Sequence, residues 1–193
     1  MISRVLVVAI LSSLLLASAS FAQRGSRGPI FVDYAAPPPT YESLWDKAPV
    51  VVRVQIIKSS VVAAGRNKDF PFVEHAARVL EVLKDDGTLG KTPTIFVLQP
   101  GGTITAPDGQ EVTGHTSGVP LMRESQELVL YLEYLPGPRR FVPSYGPAGV
   151  FPIDGDDIEI PSSVRHYPEF QQRARVPKDE VFNGLRQLKS SRK

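Results

Sequence analysis

Apolar and polar residues alternate along several short stretches of this chain, and Gly, Pro and Asp separate the stretches. Val50, Val52, Val54 and Ile56 fall on one parity, while the other parity turns polar at Arg53 and Gln55. A period of two belongs to a strand, whose successive side chains point to opposite faces. The polar gap from Ala64 to Asp69 predicts a turn, and a second strand follows from about Phe70 to Lys84. There Val73, Ala77 and Val79 share one parity, and Leu80 and Val82 take the other. A bulge near Arg78 would exchange the faces. Asp85-Asp86-Gly87 carries turn chemistry. Thr94 to Gln99 predicts a third strand, closed by Pro100-Gly101-Gly102.

Ile104 and Val112 flank Pro107-Asp108-Gly109, and Asp-Gly between apolar residues predicts a small hairpin between Gly102 and Gly118. Leu128 to Leu135 is apolar on both parities, which predicts a central strand buried on both faces. Phe141 to Ser144, Ala148 to Ile153 and Ile158 to Ile160 complete the strand-like set, with Asp154-Gly155-Asp156 as a turn. The helical period appears twice. Thr40 is placed to cap a short helix over Tyr41 to Ala48, with Leu44 and Trp45 as its apolar side and Pro49 as its stop. Val181, Leu185 and Leu188 recur at i, i+4 and i+7, an amphipathic helix starting near Pro177.

The start of the chain reads differently. Arg4, the apolar run Val5 to Leu16 and Ser20-Phe21-Ala22 have the form of a secretory signal peptide over residues 1–22, cleaved after Ala22. The run is shorter than the ~20 residues of a spanning helix, and no later segment is apolar enough to cross a membrane. The expected location is therefore periplasmic or extracellular. Residues 23–39, with Pro37-Pro38-Pro39, read as a flexible, extended leader, 40–160 as one β domain, and 161–193 as a linker and the C-terminal helix. The chain has no cysteine, which removes disulfides, thiolate zinc sites and thiol chemistry. A net charge of +2 argues against a dedicated nucleic-acid binder, which carries a strongly basic face.

Four pieces of sequence carry a family resemblance. A helix ending Trp45-Asp46-Lys47-Ala48 runs into Val50-Val51-Val52-Arg53-Val54; a strand ends Val79-Leu80-Glu81-Val82-Leu83-Lys84; a third strand ends in Pro100-Gly101-Gly102; and Glu127 to Leu132 is followed by Gly149-Val150-Phe151. In this order, over roughly residues 40–153, the chain resembles the bacterial exported relatives of the netrin-like, or tissue-inhibitor-of-metalloproteinase-like, OB-fold domain. The resemblance implies a mainly β fold: a five-stranded OB-like Greek-key barrel from strands near 50–58, 70–84, 94–99, 128–135 and 140–153, with a helix at each end. Two positions depart from the family pattern. Asp85-Asp86-Gly87 replaces a glycine after Lys84, and Gln126 replaces one before Glu127. The animal inhibitors reach a protease metal through an N-terminal cysteine, which this chain lacks, so that activity does not carry over.

Candidate chemistry is sparse. His75, His115 and His166 share no helix-spaced metal pattern. Gly114-His115-Thr116-Ser117-Gly118 has Thr, not Ser, where a nucleophile elbow needs its nucleophile, and reads as a loop. Asp154, Asp156, Asp157 and Glu159 alternate as cation-loop carboxylates do but lack the full calcium spacing, and Asp-Gly-Asp is also an ordinary hairpin turn. Arg139, Arg140 and Tyr145, with His115, form the expected ligand surface, which joins the 100–120 hairpin to the 136–147 loop. Aromatics beside cations can stack bases or sugar rings, although Tyr131 and Tyr134 read more simply as core. The leading expectation is an exported, non-enzymatic module without a cofactor that binds a protein or envelope component. A small hydrolase using Asp154, Asp156 or His115, and a carbohydrate-binding module using Tyr145 and the arginines, are the alternatives.

Overall fold

The computed structural model describes residues 30–32, 36–64, 70–116, 120–135 and 139–191. The expected signal peptide lies outside them. The strands are β1 (Ile30–Val32), β2 (Val50–Ala64), β3 (Phe70–Asp85), β4 (Thr94–Pro100), β5 (Gly102–Thr105), β6 (Glu111–Thr116), β7 (Glu127–Leu135), β8 (Arg140–Pro143), β9 (Val150–Asp154), β10 (Asp157–Glu159) and β11 (Arg175–Pro177). The helices are α1 (Tyr41–Lys47) and α2 (Lys178–Ser191). The fold is mainly β, as the alternation predicts.

Eight strands form one sheet in the order β11-β10-β9-β7-β2-β3-β4-β8, and a further β7–β8 pairing bends five of them into a partial ring. The ring closes thinly on one side, where β4 and β8 run parallel and meet only at Phe96↔Arg140 and Val97↔Phe141. The small sheet β1-β6-β5 is not paired into this sheet and packs beside β2 and β3. Its β5–β6 hairpin pairs Ile104 with Val112 around the Asp-Gly turn, as expected.

The first residues of β2 and residues 128–132 of β7 are buried on both faces, and this produces two cores. Val50, Val52, Val54 and Ile56 of β2 meet Leu128, Leu130 and Leu132 of β7 inside the ring, with Ile95, Val97 and Phe141. Val51 of β2 with Val129 and Tyr131 of β7 face outward into a second core. That outer core is aromatic: Tyr41, Trp45, Phe151, Tyr167, Phe170 and Phe182 join Tyr131. Tyr41 packs edge-on against Tyr131 and Phe170, with ring centroids 6.0 and 5.0 Å apart.

β3 moves from one core to the other. Arg53↔Glu81 and Val54↔Val79 leave Leu80 unpaired, and Val51↔Lys84 and Val52↔Val82 leave Leu83 unpaired. Each extra residue reverses the faces. Val79 therefore packs on the inner core while Leu83 enters the outer one. The expected bulge near Arg78 falls two residues later, at Leu80, and is repeated at Leu83.

Four expectations change. The barrel strand expected near 140–153 is two strands, along the separate runs 141–144 and 148–153. β8 pairs with the end of β7 at 132–135, the chain turns through Ser144 to Gly149, and β9 pairs with the start of β7 at 127–130. Gly149 makes this reversal possible, because a Cβ there would lie 2.4 Å from the Ser144 carbonyl oxygen and 2.9 Å from that of Tyr131. Second, residues 161–177 are not a linker, since Val164, Tyr167, Phe170 and Val176 are buried in the outer core. Third, part of the leader is fixed: Ile30–Val32 pairs parallel with β6, and the buried Pro38 accepts a hydrogen bond from the Tyr167 hydroxyl. Fourth, Tyr134 is 46% exposed, so of the two tyrosines only Tyr131 belongs to the core.

The helices are held by side chains at their ends. Thr40 and Ser43 form a reciprocal capping box at the start of α1. At its other end the Lys84 ammonium donates to the carbonyls of Trp45, Asp46 and Ala48 at 2.6, 3.1 and 2.7 Å. A cation on the last carbonyls of a helix answers both their missing partners and the helix dipole. Arg53 ties α2 to β2, its guanidinium lying 5.5 Å from the Phe182 ring centroid while its Nε donates to Glu127 at 2.5 Å.

Candidate functional site

The residues expected to form a ligand surface go to different places. Arg140, on β8, pairs with Glu74 of β3 at 3.2 Å. Arg139 is exposed at the turn into β8, with its backbone in the left-handed region at φ 58°. Tyr145 is left-handed too, at φ 54°, but its side chain packs on the outer core. His115 is exposed on β6 of the small sheet, opposite Phe31. They do not converge on one cleft.

The acidic turn is occupied from within. Arg175 of β11 pairs with Asp154 at 3.0 Å and Glu159 at 3.1 Å, and Lys178 reaches Asp156 at 3.6 Å. Among the described residues no group of three or more His, Asp or Glu side chains is placed to hold a metal ion. Thr116 ends β6, and Ser117 and Gly118 lie outside the described residues.

His75 is the one fully buried imidazole. Its Nδ1 lies 2.8 Å from the Ser59 hydroxyl across the β2–β3 pair, and its Nε2 is buried beside the Gln99 amide without a well-formed hydrogen bond. Burial lowers its pKa from 6.5 to about 4, against a smaller opposing effect from Gln99. At neutral pH it is uncharged, and the tautomer sets which of Nδ1 and the Ser59 hydroxyl donates to the other. Ser59 and His75 face each other as a cross-strand pair, with no carboxylate hydrogen-bonded to the ring, and the arrangement is that of a core polar pair satisfied at Nδ1 alone.

Residues that do converge surround a pocket of about 500 Å3 between the 120–126 segment, β9 and the 159–175 region. Its floor comes from the inner core, with Met122, Leu128 and Val150. Its far wall belongs to the outer layer, with Ile160, Pro161, Arg165, Ala174 and Arg175. The pocket therefore lies at the seam between the two cores. Such a volume, with an apolar base and polar groups in its walls in comparable share, suits a small-molecule ligand or a short segment of a larger one.

The near wall is rigidly held. Gln99, a buried glutamine on β4, donates through Nε2 to the Pro120 carbonyl at 3.2 Å and accepts from the Met122 amide through Oε1 at 3.1 Å. Ser125 adopts a left-handed φ of 67°, which lets its amide donate to Ile56 O at 2.8 Å, while Ile56 N donates to Gln126 O at 2.9 Å. Glu124 is drawn out of play, accepting from the Ser59 amide at 2.9 Å.

Charge in the pocket is one-sided. Arg123, Arg165 and Arg175 line it with one carboxylate, Glu159. Arg175 is matched by Asp154 and Glu159. Arg165 donates through Nε to the Ile160 carbonyl at 2.9 Å, which orients the guanidinium. Among the described residues neither Arg165 nor Arg123 pairs with a carboxylate, so two cationic groups face an apolar floor.

No sequence period connects these arginines: Arg123 and Arg165 sit in separate irregular segments and Arg175 on the short strand β11. A weak signal existed in the prolines Pro120, Pro147, Pro152 and Pro161, all of which line the pocket, and in Gln99, a polar residue in an otherwise apolar strand. No protein-family description matches the chain, and no curated protein does.

Proposed function

We propose that this chain is an exported, non-enzymatic binding module built on an OB-like Greek-key barrel of the netrin-like kind, working in the periplasm or outside the cell on a protein or envelope ligand. The ligand is taken at the seam pocket rather than at the loop surface around His115, Arg139, Arg140 and Tyr145. The single observation behind this is the pocket itself, with its preformed near wall, apolar floor and two unmatched guanidinium groups. The pairing order β2-β3-β4-β8-β7, returning from β7 to β2 with a thin parallel contact between β4 and β8, supports the barrel reading, since OB folds are partly open Greek-key barrels. The ion pairs of Asp154, Asp156 and Glu159 favour binding over hydrolysis, because a catalytic acid or base must be free to exchange a proton with substrate.

Capture from envelope extracts of the source cells on the immobilised chain tests the proposal. A component retained by the wild type, and lost with Arg165→Ala but kept with Arg140→Ala, is the expected result. Loss with Arg140→Ala and retention with Arg165→Ala would return the site to the loop surface.

A further inference from the structure

We infer that the seam pocket takes a carboxylate-headed apolar molecule, with Arg165 and Arg123 holding the head and the inner-core floor receiving the body. This deepens the binding reading above and rests on it.

Charge and hydrogen bonding select the head. An arginine unmatched by protein carboxylates at an apolar surface carries donors that water alone must satisfy, and a bidentate carboxylate satisfies them with stronger, charge-assisted bonds. Arg165 is prepared for this role. Its Nε is engaged by the Ile160 carbonyl, which fixes the plane of the guanidinium and leaves the two Nη groups without a partner among the described residues. Arg123 stands on the opposite wall, on the segment that Gln99 and Ile56 immobilise, so the two cations are carried by elements that do not need to move on binding. Preformed geometry lowers the ordering cost of association. Arg175 contributes less, because Asp154 and Glu159 already neutralise it. The Glu159 carboxylate, already paired with Arg175, repels a second negative charge there, so the head is assigned to Arg123 and Arg165, the two lining cations without a carboxylate partner among the described residues.

The floor selects the body. Met122, Leu128 and Val150 form its base, and the 41%-exposed Leu121 extends it to the rim. Pro120, Pro147, Pro152 and Pro161 add apolar ring surface and no backbone donor. An alkyl or aromatic body needs no hydrogen bonds from this base, and the wall groups Arg123, Gln126, Ser162 and Arg165 are left for a polar head. Carboxylates of this kind come from free alkyl acids and from aryl-alkyl acids, and the two sources differ in body shape alone.

The test is calorimetric titration of the purified chain with decanoate, 4-phenylbutyrate and decanol. The acids are expected to bind, and decanol, which has the body without the charge, at least tenfold more weakly than decanoate. A preference between decanoate and phenylbutyrate assigns the source. Arg165→Ala should weaken decanoate binding by more than tenfold and Arg123→Ala by about threefold or more, with decanol unchanged in both. Arg186→Ala, which removes a guanidinium on α2 that faces Glu81 at 3.7 Å, should leave both affinities as they were. Circular dichroism of each variant at the titration temperature separates loss of the site from loss of the fold. Equal binding of acid and alcohol would overturn the assigned arginine roles and leave the pocket as a binding site. No binding of either acid by a folded chain would overturn the ligand class, and the extract capture described above then decides separately whether the binding-module reading survives.

Discussion

The two cores of this protein share strands but differ in make-up. Inside the ring, Val, Ile and Leu from alternating positions of β2, β4 and β7 interdigitate, and Phe141 is the aromatic side chain among them. Outside it, Tyr41, Trp45, Tyr131, Phe151, Tyr167, Phe170 and Phe182 arrive from helices, strands and irregular turns spread along the chain. The inner core is made by a repeating local pattern, whereas the outer one is assembled from large side chains of remote segments, each needing a particular backbone path to reach it. Regularity gives the ring its frame. The outer layer places cationic side chains against that frame, and the pocket opens where the two meet.

The largest test of this contrast is Leu130→Asp. Leu130 is fully buried inside the ring, and an unpaired carboxylate there should abolish the cooperative melt altogether. A melt at the wild-type temperature would show that β7 does not hold the inner core. Phe170→Ala acts on the other core. It should cost about 3–4 kcal/mol in urea unfolding and expose amides of the 161–177 region to hydrogen exchange while those of β2 and β3 stay protected. Uniform loss of protection would mean that the two cores are one cooperative unit.

His75 makes the ring sensitive to pH. Its folded pKa of about 4 lies below the 6.5 of the unfolded chain, so between these values the unfolded state binds the extra proton. The stability held by the neutral ring is complete above about pH 6.5 and falls as the pH drops toward 4, by about 2 kcal/mol between pH 7 and pH 5. The difference between wild type and His75→Gln in chemical denaturation at the two pH values isolates this component from the surface carboxylates. Equal pH dependence in both proteins would remove His75 as the cause. The smallest effect is expected at the joint. Lys84→Met keeps the aliphatic stem but removes the ammonium from three carbonyls, and should lower stability by about 1.5 kcal/mol, read as a shift of the urea midpoint.

The difference between the cores also explains what the sequence made legible. The alternation of Val50 to Ile56, the Asp108-Gly109 hairpin and the Thr40 cap each act through neighbours a few residues away and appear in the structure, as does the double-faced run expected over Leu128 to Leu135, which is buried as far as Leu132. The runs 141–144 and 148–153 are separate in the sequence, but their pairing with opposite ends of β7, with Gly149 against the Ser144 and Tyr131 carbonyls, is a contact between segments that no local period encodes. Tyr167 and Phe170 lie in a stretch without strand or helix period, so their burial is a tertiary fact. The pocket was the least legible part. Arg123, Arg165 and Arg175 look like ordinary solvated cations in sequence, and what distinguishes them is which carboxylates stand beside them in space.

The most direct measurement is a map of backbone amide shifts in the isotope-labelled chain during titration with decanoate. Shifts should concentrate in residues 120–126, 150–152, 159–165 and 174–175, which come from both sides of the seam, and leave His115, Arg139 and Arg140 unmoved. Shifts gathered around those three residues instead would contradict the claim that the meeting of the two cores forms the binding site, and none at saturating acid would overturn the ligand class.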